Sequence, residues 1–187
     1  MNLRTAVDNL CIYDPEFQAY ADKFIGEMGG SSAIQAVGSR DELIAAIGSY
    51  TSVKFLEVCL HGTPGMIHFA DNGAMRGQSF GTLTQNTLFL QKNARVLFDS
   101  CNIAEGEVGS IFLDDLGMTM FKGKGGILGA TTVTNGHLLP KSRFATDMYL
   151  APLSFGRLIV RRYDQNGQPV GQRVTDRHGI ERVYKVN

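Results

Sequence analysis

The stretch Leu56-Glu57-Val58-Cys59-Leu60-His61-Gly62-Thr63-Pro64-Gly65 decides how this chain is read, together with its later echo Val96-Leu97-Phe98-Asp99-Ser100-Cys101. Each is a short run of aliphatic, β-branched and aromatic residues, the signature of a buried strand, and each stops at a chemically capable side chain. If the two strands are parallel neighbours, their carboxyl ends share one sheet edge, where open α/β folds place their ligands. His61 and Cys101 then meet. A thiol attacks a carbonyl well only as thiolate, and a nearby imidazole that takes its proton or steadies the anion is the minimum machinery for that attack. Gly62, lacking a side chain, lets a substrate approach its backbone N–H, which with the Cys101 N–H can hold a tetrahedral oxyanion.

Upstream, Leu10-Cys11-Ile12-Tyr13 reads as a first strand closed by Asp14-Pro15, a helix cap followed by a proline suited to the first turn. Phe17, Tyr20, Ala21, Phe24, Ile25 and Met28 recur at helical spacing, and Gly29-Gly30 ends that helix. A strand over Ala33–Val37 follows, then Ser39 and Glu42 at capping-box spacing ahead of a second helix. The third strand, Val53–Leu60, delivers His61, and Met66–Phe69 reads as a short strand after a Pro-Gly turn. The glycine-rich segment Asp71–Phe80 reads as a loop near the site, and Thr82–Gln91 as a crossing helix.

Downstream of Cys101, Glu105-Gly106-Glu107 opens a helix running through Leu116, so the cysteine falls just before a helix amino terminus. Gly126–Thr132 reads as a fifth strand. Lys122-Gly123-Lys124-Gly125-Gly126 lacks the order of a phosphate-binding loop and reads as a turn. A helix around Phe144–Leu150 is expected, then a hairpin of Arg157–Tyr163 and Gly171–Val174 about Asp164-Gln165-Asn166-Gly167, and a last strand over Glu181–Val186. Arg157, Arg161 and Arg162 are expected on its solvated face. Alternating strands and helices predict an α/β fold, a mainly parallel sheet with helices on both faces and a C-terminal antiparallel extension.

The 187 residues and their hydrophobic share suit one domain, residues 1–187, with a real core. Lys plus Arg equals Asp plus Glu at 18 each, which gives no general affinity for nucleic acid or an anionic membrane. No apolar run is long enough to span a bilayer, and Met1–Asp8 lacks the basic-then-apolar form of a signal peptide, so a soluble, cytoplasmic chain is expected. Of the three cysteines, Cys11 and Cys59 lie inside apolar runs and read as small hydrophobes, so no disulfide framework is expected. His68, His137 and His178 are scattered, and no metal site is expected.

His61-Gly62 after one strand and Asp99-Ser100-Cys101 after the next resemble the motifs of caspase-like cysteine peptidases, the group of caspases, metacaspases, gingipains, separases and self-cleaving toxin domains. The resemblance spans roughly residues 10–132. The cysteine context is not the Gln-Ala-Cys of animal caspases; it is closer to metacaspases and paracaspases, where the aspartate two before the cysteine helps bind a basic residue. Asn102-Ile103-Ala104-Glu105-Gly106 replaces the His-Ser-Gly of many metacaspases and is similar to bacterial caspase-like domains. The resemblance implies a caspase-hemoglobinase-like fold and a cysteine endopeptidase with a His61–Cys101 dyad and no cofactor. It implies protein or peptide substrates cut after Arg or Lys, with Asp99 holding the basic side chain and Asp14 as a second acidic wall. Thr131, Thr132 and Thr134 would border the groove. A local ion pair for Asp99 and a helix cap for Asp14 stay open as plainer roles. Self-processing near Lys141, Arg143 or Arg157, a catalytically silent binding module and a thiol acyl hydrolase also stay open.

Overall fold

A computed structural model of the chain describes residues 3–86, 88–132, 158–175 and 181–184. Along the chain come β1 (Thr5–Ala6), β2 (Asn9–Tyr13), a 3-10 turn (Pro15–Phe17), α1 (Gln18–Met28), β3 (Ser32–Ala36), α2 (Arg40–Ser49) and β4 (Tyr50–Thr51). Then follow β5 (Val53–Cys59), β6 (His61–Thr63), β7 (Met66–His68), β8 (Ala74–Arg76), α3 (Gly77–Thr84), β9 (Leu90–Phe98) and α4 (Gly106–Met120). Past α4 lie β10 (Gly126–Thr131), β11 (Leu158–Tyr163), β12 (Pro169–Thr175) and β13 (Glu181–Tyr184).

Eight strands form a mixed sheet in the order β13-β12-β11-β10-β9-β5-β2-β3. β3, β2, β5, β9 and β10 run parallel, and β11, β12 and β13 continue the sheet antiparallel. Strand alternation explains why helices cover both faces. Leu10, Ile12, Leu56, Val58, Val96 and Phe98 point into one cluster with Leu43 and Ile47 of α2, Phe80 of α3 and Phe112 and Leu116 of α4. Cys11, Tyr13, Phe55, Cys59 and Leu97 point into the other, with Tyr20, Ala21 and Phe24 of α1. The chain is therefore α/β, a mixed sheet flanked by helices.

Local chemistry sets the helix starts. Asp14 accepts the Glu16 N–H at 3.0 Å, and Pro15 opens the 3-10 turn that leads into α1. Ser39 accepts the Glu42 N–H at 3.2 Å, while Glu42 reaches back to the Gly38 N–H at 2.6 Å, so the expected capping box forms one residue wide of its usual return partner. Gly29, at φ 61°, ends α1 in a conformation that favours glycine. Of the expected stripe, α1 buries Tyr20, Ala21 and Phe24, whereas Ile25 is exposed.

Two further sequence expectations need correction. Asp71–Phe80 is not a loop: it holds β8 and the first turn of α3, and the helix expected over Thr82–Gln91 lies earlier, at Gly77–Thr84. Tertiary packing overrides the low helix propensity of glycine here, because α3 and α4 touch closely. A Cβ on Gly77 would lie 2.6 Å from the Phe112 carbonyl oxygen, and one on Gly81 2.8 Å from the Thr119 Cβ. The second correction is Arg161, which does not lie on a solvated hairpin face. It is buried and donates to Asp114 at 2.5 Å, to the Ser110 carbonyl at 3.2 Å and hydroxyl at 2.7 Å, and to Gln172 at 2.6 Å, so it pins α4 to the antiparallel extension. Arg162 is exposed as expected.

Among the described residues no helix is long and apolar enough to cross a membrane. The helix expected at Phe144–Leu150, together with Thr134, Lys141, Arg143 and Arg157, lies outside the described residues.

Candidate active site

Parallel register puts the candidate residues on one rim. Tyr13 pairs with Cys59 and Val58 with Phe98, so Asp14, His61 and Asp99 all leave the sheet at its carboxyl edge. Asp14 N–H donates to the Cys59 carbonyl at 2.9 Å and Asp99 N–H to the Val58 carbonyl at 2.9 Å, which extends the ladders one step beyond the strands. His61 opens β6, the first strand of a three-stranded antiparallel sheet with β7 and β8.

That small sheet folds over the cysteine loop. The Gly65 N–H donates to the Ile103 carbonyl at 3.0 Å, and a Cβ on Gly62 would lie 2.7 Å from the Cys101 carbonyl oxygen, 2.9 Å from the Ser100 Cβ and 3.3 Å from the Cys101 nitrogen. Gly62 is thus in backbone contact with Cys101, and only glycine permits it. The loop is held from below as well. Thr131 donates its hydroxyl to the Ser100 carbonyl at 2.8 Å, and the Ala104 N–H donates to the Thr131 carbonyl at 2.9 Å. On the third side α4 presses in at Gly109, where a Cβ would sit 2.2 Å from the Ala104 carbonyl carbon. Asn102, at φ 56°, takes the left-handed turn that asparagine tolerates.

The Cys101 thiol is exposed, while Cys11 and Cys59 are buried. His61 is half-exposed, with 46% of its side chain accessible. Its Nε2 lies 3.3 Å from a Glu16 carboxylate oxygen, and its ring sits 5.0 Å from that of Phe17, centroid to centroid. Asp14 and Asp99 are both buried, Thr132 is half-buried, and the buried Thr131 spends its hydroxyl on the cysteine loop.

Beneath the rim, on the α1 face, lies a buried polar set that the sequence reading did not single out. Glu57 is inaccessible to solvent and accepts the Tyr20 hydroxyl. Burial, then the neighbouring Asp99, hold the Glu57 carboxyl well above the usual carboxylate range, against the lowering effect of the Tyr20 hydroxyl. Cys59 and Cys11 are pushed up chiefly by burial, with Asp99 and Glu57 adding to it. These two thiols are inert hydrophobes at neutral pH, and Cys101 is the accessible one.

A folded-state value above the unfolded 4.5 means that Glu57 carries no penalty in acid, and that stability falls as pH rises from there toward the folded value. Glu57→Gln keeps an acceptor for Tyr20 and removes that ionisation. The melting temperature of Glu57→Gln is expected to match wild type near pH 4 and to exceed it increasingly toward pH 8. Thermal melts of both proteins across that range check it; a variant that loses stability at pH 8 would show an ionised, stabilising Glu57.

Comparison of the chain with protein-family models, with curated protein sequences and with solved structures finds no match. The residues at this rim therefore carry the functional reading on their own chemistry.

Proposed function

We propose that the chain is a cysteine endopeptidase with a caspase-like arrangement, in which Cys101 is the nucleophile. The observation that carries this reading is the backbone contact between Gly62 and Cys101, which joins the residue after a half-exposed imidazole to an exposed cysteine at one sheet edge. The Cys101 thiolate forms a C–S bond to the scissile carbonyl, whose oxygen becomes an oxyanion facing the Gly62 and Cys101 N–H groups. As the C–N bond breaks, His61 gives its proton to the leaving amine. Water then attacks the thioester, His61 takes its proton, and the C–S bond breaks to release the acid and restore the Cys101 thiolate. No cofactor enters this chemistry.

Asp99 and Asp14 flank the same rim and supply the negative charge for a substrate Arg or Lys. Burial raises the worth of such a pairing, and removing one partner of a buried, hydrogen-bonded charge pair typically costs about 2–5 kcal/mol of binding. With a mixed protein substrate, sequencing of the new termini is expected to show cleavage after Arg and Lys, and Asp99→Asn is expected to lose that preference with a fall in kcat/KM of about two orders of magnitude or more. Cleavage after Asp or Leu instead would remove Asp99 from substrate recognition.

A second reading is a catalytically silent module that binds a partner through this groove. The contact of His61 Nε2 with Glu16, at 3.3 Å, favours it, because that nitrogen already has an acceptor. Partner binding that survives Cys101→Ala, with no turnover in the wild type, is its signature.

A further inference from the structure

The 3-10 turn after β2 brings Asp14 and Glu16 against His61, so that a carboxylate oxygen of each and a ring nitrogen of the histidine all lie within 4.8 Å of one another. Sequence spacing gave no hint of this, since Glu16 and His61 are far apart in the chain and the histidines are scattered. One observation goes beyond the cluster itself. Asp14 is 1% exposed, and while Oδ1 takes the Glu16 N–H at 3.0 Å, its Oδ2 is buried with no hydrogen-bond partner among the described residues. A buried carboxylate oxygen without a donor costs free energy unless a cation or proton supplies one. Within the cluster, the His61 Nε2 to Glu16 Oε2 distance is 3.3 Å. Donor atoms about 2.1 Å from a zinc ion lie about 3.4 Å apart at the tetrahedral angle, so this pair already has the separation of two ligands on one ion.

We propose that Asp14, Glu16 and His61 form a binding site for a borderline divalent cation of the Zn2+ class. One imidazole and two carboxylates are a donor set for zinc, with the fourth position open to water. The hard ions Ca2+ and Mg2+ prefer all-oxygen shells and fit it poorly. Two half-exposed or exposed ligands, with side-chain accessibilities of 46% for His61 and 75% for Glu16, leave an entry path from solvent. Bound cation occupies the His61 Nε2 and holds the ring where it already lies, against the 3-10 turn. Resting on the peptidase reading, the consequence is a reversible brake: with its Nε2 held by the ion, His61 cannot carry a proton at that nitrogen to the leaving amine. The charge of the ion also offsets the carboxylates at the rim, the buried Asp14 among them.

The test titrates Zn2+ into the full chain by isothermal calorimetry, in wild type and in Cys101→Ala, with Ca2+ and Mg2+ as controls. One zinc per chain is expected in both proteins, with neither control ion competing. Glu16→Gln, an exposed change that leaves folding out of question, and Asp14→Asn, which keeps the cap acceptor, are each expected to weaken binding about tenfold or more. Unchanged affinity in Glu16→Gln, or loss of the site in Cys101→Ala, would overturn the assignment, the latter by placing the ion on the thiol. Calorimetry reads binding whether or not the chain hydrolyses peptides. If turnover is present, zinc is expected to inhibit it, and Glu16→Gln to require about tenfold more zinc for the same inhibition.

Discussion

Cys101→Ala is expected to lower the rate of peptide hydrolysis by about four to six orders of magnitude, to the level that substrate binding and the two backbone N–H groups sustain alone. The size of the effect follows from the chemistry. No other accessible thiol is present among the described residues, because Cys11 and Cys59 are buried and their ionisation is opposed by burial and by Asp99 and Glu57. The side chain is exposed, so its truncation leaves no cavity and the melting temperature is expected to stay within about two degrees of wild type. Paired measurements of turnover and thermal melting check both halves. Undiminished turnover in Cys101→Ala would assign the hydrolysis to another nucleophile.

Gly62→Ala is expected to cost about 100-fold in kcat/KM, although it adds one methyl group and removes nothing. That methyl would lie 2.7 Å from the Cys101 carbonyl oxygen and 2.9 Å from the Ser100 Cβ, distances that real Cβ atoms do not hold, so the hairpin or the cysteine loop must move. The loop has little room. Thr131 holds Ser100, Gly65 holds Ile103, and Gly109 lets α4 abut Ala104. The displacement is therefore expected to shift His61 relative to Cys101 and to turn the two proposed N–H donors apart, and a misplacement of about 1 Å at reacting atoms costs on the order of 100-fold. Crowding also destabilises, by about 1–3 kcal/mol, which thermal melts read as a fall of several degrees. Full activity in Gly62→Ala would mean that the glycine and the cysteine are not in functional contact.

Much of the fold was legible because its strands are apolar runs with clear stops. Asp14-Pro15 and Ser39 with Glu42 cap as their types predict, and Asp164 to Gly167 closes the hairpin, with Asp164 accepting from Asn166 and Gln168 at 2.8 and 2.9 Å. The α3 region was misread for a physical reason: Gly77 and Gly81 carry poor helix propensity, yet they are what lets α4 come close, a tertiary demand that no local pattern announces. Arg161 was misread because only the fold brings Asp114 and Ser110 to it.

At the site, the strand-end positions of His61 and Cys101 could be read from the sequence. Glu16 and Phe17 could not, since their meeting with His61 depends on the turn that follows β2. Glu57 did leave a trace, a single acid inside the apolar run Leu56–Leu60 of a strand covered on both faces. Such a residue in such a place asks for a buried partner, and Tyr20 supplies one.

The most direct test of the central claim is the rate at which a peptidyl acyloxymethyl ketone ending in Arg alkylates the protein, with the adduct located by peptide mass spectrometry, in wild type and in His61→Ala. An adduct on Cys101 is expected, forming about 100-fold or more slowly in His61→Ala, because the imidazole prepares the thiol for attack. Equal rates in the two proteins, or no adduct on a Cys101 that iodoacetamide still labels, would contradict it.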